Sequence, residues 1–428
     1  VIRKAALAAA FLVAVPALAA ADPLRGTAPS GMAYDIESDP AQTSAAVALW
    51  YRAPSSGFDA TPVTGLSRLS ALTIAASSPI TGTPLSLLVR SYGGRLSIAS
   101  YPDSVSITAV VTPNHVDDVV RAMTADFFAP VIDAQGFAVA QRDDAENGLY
   151  RSFDPSEAIE DSLGGALFSA GPYRDPTIAM PNTVAGVTLA QVRAFAERGF
   201  RPGNALLVLT GNVSGDALAV AATRDGATPT PEAITAQPVA RTPGSLERDG
   251  NATGIGLAWA GPPISDESAA TAMDFVADAL FAPTTGPIDV ALSSLHAYAT
   301  GKFVTYHSPG VFLVTITGDD AAAARPIVLR TIAAFAAPMS RSAFAQAREA
   351  FEYRLLADLD TPPELADTTG WYTIEGNAGY APSSGDYFHV ADALSPQSVA
   401  RTVQRYLTVT PAVVTLVRPH APVPVKKS

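Results

Sequence analysis

Apolar residues along this chain fall into short strand-like runs separated by longer stretches with helical spacing. In the first half the run Ala45-Ala46-Val47-Ala48-Leu49-Trp50 predicts a strand, and helices follow near Pro62–Ala76 and Thr83–Ser91. A hairpin-like pair comes next, Leu96–Tyr101 and Ser104–Val111. Helices then begin near Asn114, Asp133, Ser156 and Leu189, and a strand over Ala205–Thr210 closes the half.

The second half repeats this order. A strand Gly254–Ala260 leads into helices near Ser265–Leu280 and Ile288–Leu295, then strands Phe303–His307 and Phe312–Thr317. Helices follow after Asp319 and Ser340 and near Pro363 and Pro396, and Ala412–Leu416 is the closing strand. Phe127-Phe128-Ala129-Pro130 answers to Phe335-Ala336-Ala337-Pro338, and Ala205-Leu206-Leu207-Val208 to Ala412-Val413-Val414-Thr415. These anchors are offset by about 207 residues, as a tandem duplication gives. The fold expected is therefore α+β: two homologous domains, each an antiparallel-rich sheet covered by helices on one face. Their expected bounds are 35–224 and 251–420, and the Pro- and Thr-rich stretch 225–250 reads as a linker.

Composition narrows the picture. With 40 acidic against 28 basic residues the net charge is −12, which argues against nucleic acid and anionic membranes as partners. The chain has no cysteine, so disulfides and thiolate chemistry are excluded. Residues 1–21 combine Arg3-Lys4, an apolar run and an Ala-x-Ala site, the pattern of a secretory signal peptide. A periplasmic or secreted protein is expected, with no membrane span once the leader is cleaved. The five histidines, at 115, 296, 307, 389 and 420, are scattered and none pairs at i,i+4 around an acid. Asp143-Asp144 with Glu146 reads either as a loose Ca²⁺ site or as a solvated helix face.

Four segments carry a resemblance. Gly65-Leu66-Ser67-Arg68-Leu69-Ser70-Ala71-Leu72 has the outline of a Gly-Leu-x-His-x-x-Glu-His frame. Ser91-Tyr92-Gly93-Gly94-Arg95-Leu96 supplies a Gly-Gly turn and a strand. Gly171-Pro172-Tyr173-Arg174-Asp175-Pro176 and Phe200-Arg201-Pro202-Gly203-Asn204 follow in order. Together they resemble the insulinase/pitrilysin-like zinc metallopeptidases (inverzincins). In that family two helical histidines hold zinc, the glutamate between them activates water, and a downstream glutamate completes the site. Against this pattern Arg68, Ala71 and Leu72 replace the histidines and the glutamate. Ala140 and Asn147 fall on the downstream acids, although a one-residue slip would place Glu146 there.

The resemblance thus implies a degenerate, non-catalytic member with neither catalytic residues nor a metal or other cofactor. It further implies an edge strand that takes an extended peptide, with Gly94, Ser97, Ile98 and Ala99 as contacts. Tyr298 stands where the family places a substrate-binding tyrosine, while its companion arginine falls on Ala291. The leading expectation is a non-catalytic subunit of an exported heterodimeric zinc peptidase, paired with a catalytic insulinase-like paralogue. The alternatives are a stand-alone periplasmic peptide-binding or scaffold protein and an active zinc metallopeptidase with ligands elsewhere.

Overall fold

The computed structural model describes residues 23–59, 62–78, 82–214, 217, 231–381 and 385–418. The expected leader and His420 lie outside these residues. Strands β1 (Leu24–Thr27), β2 (Ala33–Ser38), β3 (Ala45–Arg52), β4 (Arg95–Ser100), β5 (Ser104–Val111) and β6 (Ala205–Gly211) form the first sheet, in the order β1-β2-β6-β3-β5-β4. Strands β7 (Ser245–Asp249), β8 (Gly254–Ala260), β9 (Tyr298–Val304), β10 (Val311–Thr317) and β11 (Ala412–Val417) form the second, in the order β7-β11-β8-β10-β9.

Leaving β1 aside, the two sheets have the same order and the same directions. One edge strand pairs parallel to the closing strand, β2 with β6 and β7 with β11, and every other pairing is antiparallel. The helices repeat as well. Leu66–Ala76 corresponds to Glu267–Phe281, Val116–Phe128 to Ala321–Ala334, Ala134–Phe153 to Arg341–Ala357, and Pro155–Leu167 to Pro362–Glu375.

Three details differ from the sequence expectation. The stretch expected to be a linker contributes β7, the counterpart of β2. All five β7 residues are exposed, so the segment lacks the alternation that marks a half-buried strand. Strand β9 starts at Tyr298 rather than Phe303. Its Gly301 reads as a breaker, but it lies where the Phe281 ring leaves no room for a side chain.

Third, each sheet is covered on both faces, and the second cover comes from the other half. Val47, Leu49 and Tyr51 of β3 point into a core with the first half's own helices. Ala46, Ala48 and Trp50 point the other way, onto Ala366 and Ile374 of the Pro362–Glu375 helix. Reciprocally, Ile159 and Leu163 of the Pro155–Leu167 helix pack on Ala258, Leu313 and Val414 of the second sheet. Each half thus lends the last of these four helices to its neighbour. The central strands are buried on both faces, which explains why they read as continuous apolar runs. Aromatic rings close the seam: Tyr101 meets Trp371 at 4.8 Å between centroids, and Tyr173 meets Tyr306 at 4.7 Å.

Candidate functional site: a metal frame filled by an ion pair

The Leu66–Ala76 helix is buried along nearly its whole length, including Arg68 and Ala71. It lies against the Ala134–Phe153 helix, whose buried residues are Gly136, Ala140, Asp144 and Gly148. This every-fourth-residue stripe is the contact seam. A β-carbon at Gly136 would sit 2.6 Å from the backbone of Ser77, the residue that ends the first helix, so this approach requires glycine. The helices are also tied at one end by Asp133. Its carboxylate accepts from Gly136 N at 2.6 Å and from Ser78 N at 2.9 Å, and these donors hold it below the usual carboxylate range.

Within the seam the Arg68 guanidinium forms an ion pair with the Asp144 carboxylate. Asp144 is fully buried and the Arg68 side chain is 9% exposed, so the charges neutralise one another away from water. Burial, together with the nearby Arg151, pulls Arg68 down to about 10, which leaves it protonated at neutral pH. A fixed cation therefore occupies the frame in which two histidines and a glutamate would hold a metal. The donor set does not fit zinc: Arg68 repels a cation, and Ala71 and Leu72 offer no lone pair.

The carboxylate that the structure brings to the frame is Asp144, one helical turn before Asn147. Asn147 is only half-buried, and Glu146 is exposed, its carboxylate accepting from the Tyr150 hydroxyl at 3.3 Å. Sequence reasoning passed over Asp144 as part of an acidic run. The signal was present in the Gly-Ala-Asp-Gly stripe at four-residue intervals, which puts this acid on the packed face. Asp143 points away and is exposed beside Arg142, so Asp143, Asp144 and Glu146 do not converge on a calcium site. No group of three His, Asp or Glu side chains able to hold a metal occurs among the described residues.

A cleft of about 520 Å³ opens beside this seam. Leu72, Ala75 and Ala140 line one side, and Gly94, Leu96 and Ile98 the other. Strand β4 ends the sheet and pairs only with β5, so its outer edge carries unpaired backbone groups. Of the expected contacts, Gly94 and Ile98 line the cleft. Ser97 is exposed on the opposite face of the strand, with its hydroxyl donating to Thr108 O, and Ala99 shares that face. Tyr298 is not brought to this cleft. It stands 76% exposed at the start of β9, the corresponding edge of the second sheet. Arg90, Arg95 and Arg142, all exposed, form the cleft rim, and the first and last of these were not singled out in the sequence.

The second half has a cleft of about 360 Å³ between the Glu267–Phe281 and Arg341–Ala357 helices. There Asp278 pairs with Arg354, so the charges are exchanged between the two helices relative to the first half. Deeper in, the Tyr387 hydroxyl donates to Asp274 at 2.6 Å, while burial pushes that carboxyl up to about 7.

Comparison with known proteins gives the same class. Residues 186–351 match the Peptidase M16 inactive domain family. An uncharacterized zinc protease of Mycobacterium leprae is 28% identical over 197 residues, 45% of this chain and 43% of that protein. One of Mycobacterium tuberculosis is 28% identical over 206 residues, 47% of this chain and 46% of that protein. The matches thus span less than half the length of these relatives. Among solved structures, a protease from Helicobacter pylori superposes with a TM-score of 0.80 at 15% identity, covering 94% of this chain and 100% of that one. A peptidase M16 inactive domain from Pseudomonas fluorescens gives 0.78 at 16%, covering 94% and 100%. A chain of complex III2 from Candida albicans gives 0.76 at 14%, covering 92% and 95%.

The fold is that of the M16-like peptidases. The match over residues 186–351 and the shared fold are consistent with an insulinase-like member whose metal frame is degenerate. Because the family match begins at residue 186, the degeneracy itself rests on Arg68, Ala71 and Leu72.

Proposed function

We propose that this protein is the non-catalytic subunit of an exported heterodimeric zinc peptidase. It binds extended peptide along β4 and completes a substrate chamber with a catalytic insulinase-like paralogue that carries the intact metal frame. The observation that carries this reading is the Arg68–Asp144 pair, which fills the metal frame while the strand edge and cleft beside it stay open. Exposed apolar side chains toward the C-terminal ends of two corresponding helices support a partner: Tyr150 and Phe153 on Ala134–Phe153, Tyr353 and Leu356 on Arg341–Ala357. A similarly folded chain belongs to a multisubunit assembly, the complex III2 of Candida albicans. Export rests on the leader-like residues 1–21, and no helix among the described residues is long and apolar enough to cross a membrane.

Co-purification with a paralogue bearing His-x-x-Glu-His, and stimulation of that paralogue's peptide cleavage, are the expected results. A monomer that neither binds nor alters such a paralogue would overturn the subunit reading. A second reading, a stand-alone periplasmic peptide-binding protein, draws on the cleft lying wholly within this chain. It is favoured if peptide affinity is unchanged by the partner. Stoichiometric zinc together with chelator-sensitive cleavage by the purified chain would instead restore an active peptidase.

A further inference from the structure

We infer that the β4 cleft selects acidic extended peptides, an inference that rests on the peptide-binding reading above. The chain carries a net charge of −12, yet the cleft is lined by Arg90, Arg142 and, at the start of β4 on the strand face of Ser97, Arg95, against one carboxylate, Asp143. Asp143 lies 3.8 Å from Arg142, and both side chains are well exposed. Neither the Arg90 nor the Arg95 side chain has an ion-pair or hydrogen-bond partner among the described residues. The three come from separate elements: the Leu85–Ser91 helix, the first residue of β4, and the Ala134–Phe153 helix. Their convergence on one opening is therefore a product of the fold and not of a local basic run.

The second half's cleft, bounded by the corresponding pair of helices and edge strand, is an internal comparison. It carries Asp274, Asp278 and Asp358 against Lys302 and Arg354, the opposite balance. A basic rim is thus no automatic consequence of the repeated architecture.

A strand added to β4 satisfies the edge by backbone hydrogen bonds, which read no sequence. Its side chains alternate, so every second one turns toward the cleft while its neighbours turn to the other face of the sheet. Glu or Asp at the cleft-facing positions meets the Arg90 and Arg142 guanidinium groups at the mouth, and the aliphatic stems lie along Leu72, Leu96 and Ile98. Lysine at the same positions meets like charge. The side chains at the rim set the preference, and the backbone sets the binding mode.

Fluorescence anisotropy on the whole chain tests this with four labelled peptides of equal length. Three carry Glu, Gln or Lys at alternate positions, and the fourth is the Glu peptide N-methylated on one edge. The Glu peptide is expected to bind at least about tenfold tighter than the Lys peptide at low salt, and the gap should narrow as salt screens the rim. Arg90→Gln and Arg142→Gln lie on exposed positions and should reduce that gap several-fold, mainly by weakening the Glu peptide. Equal affinity for the Glu, Gln and Lys peptides would overturn the acidic preference and leave the peptide cleft standing. Failure to bind any of them would overturn both. Undiminished binding of the N-methylated peptide would overturn strand addition, and competition by a second copy of this acidic chain at the same site would make self-association the occupant.

Discussion

Arg68 and Asp144 form a pair whose value lies in the matching of two charges, since a buried ion alone is costly. Arg68→Ala leaves the Asp144 carboxylate uncompensated and should cost about 3–5 kcal/mol in urea unfolding. The double change Arg68→Met with Asp144→Leu removes both charges and should recover most of that loss. A double variant as unstable as the single one would show that the pair's shape, and not its neutrality, sustains the seam. Asp274 gives a second residue-scale expectation. Its carboxyl stands near 7 when folded, mainly through burial, against about 3.9 in an unfolded chain. Between those values the unfolded chain releases a proton that the folded one retains. Its contribution to stability is therefore full below about pH 4 and lost as pH rises through about 7. Asp103, also raised to about 7 by burial, acts in the same direction. Asp274→Asn keeps an acceptor for Tyr387 without the titration, so its unfolding midpoint should fall less than the parent's between about pH 5 and about pH 8. Parallel curves would remove Asp274 from the account.

At the scale of elements, the exchanged helices make a prediction that the chain order conceals. Leu163 belongs to the first half but packs on the second sheet. Leu163→Ala should cost about 2–5 kcal/mol, and it should speed amide exchange in β8, β10 and β11 rather than in the first sheet. Faster exchange confined to β3 and β5 would contradict the exchange of helices. The repeated order of elements was legible in the sequence, because the buried central strands read as continuous apolar runs set between stretches of helical spacing. The exchange was not, since an apolar run buried on both faces does not say which helix covers it. Nor were β2 and β7, which owe their place to parallel pairing with β6 and β11. At the site, the loss of the metal donors could be read directly from Arg68, Ala71 and Leu72. Locating the opposing acid needed the helix seam, which shifts the relevant position from Asn147 to Asp144.

For the whole molecule, the duplication is more than two copies in a row. Residues 231–250 are bound into the body: Glu232 meets Arg198 and Arg201, Gln237 N donates to Ser308 O, and Ala240 N to Leu167 O. Either half alone would expose an apolar sheet face, such as that of Ala46, Ala48, Trp50 and Val208. Two halves divided after Arg241 and co-expressed should therefore reassemble into a soluble pair, while each alone should aggregate. Solubility of either half by itself would count against the mutual cover.

That mutual cover also governs motion. A chain of two domains joined by a strap can swing open about the strap, but here each half grips the other through a helix laid across its sheet. Among the described residues the two halves are locked together by these exchanged helices. In the proposed heterodimer, a gate that admits a peptide would therefore open along the border between the two chains, with this chain as the fixed jaw.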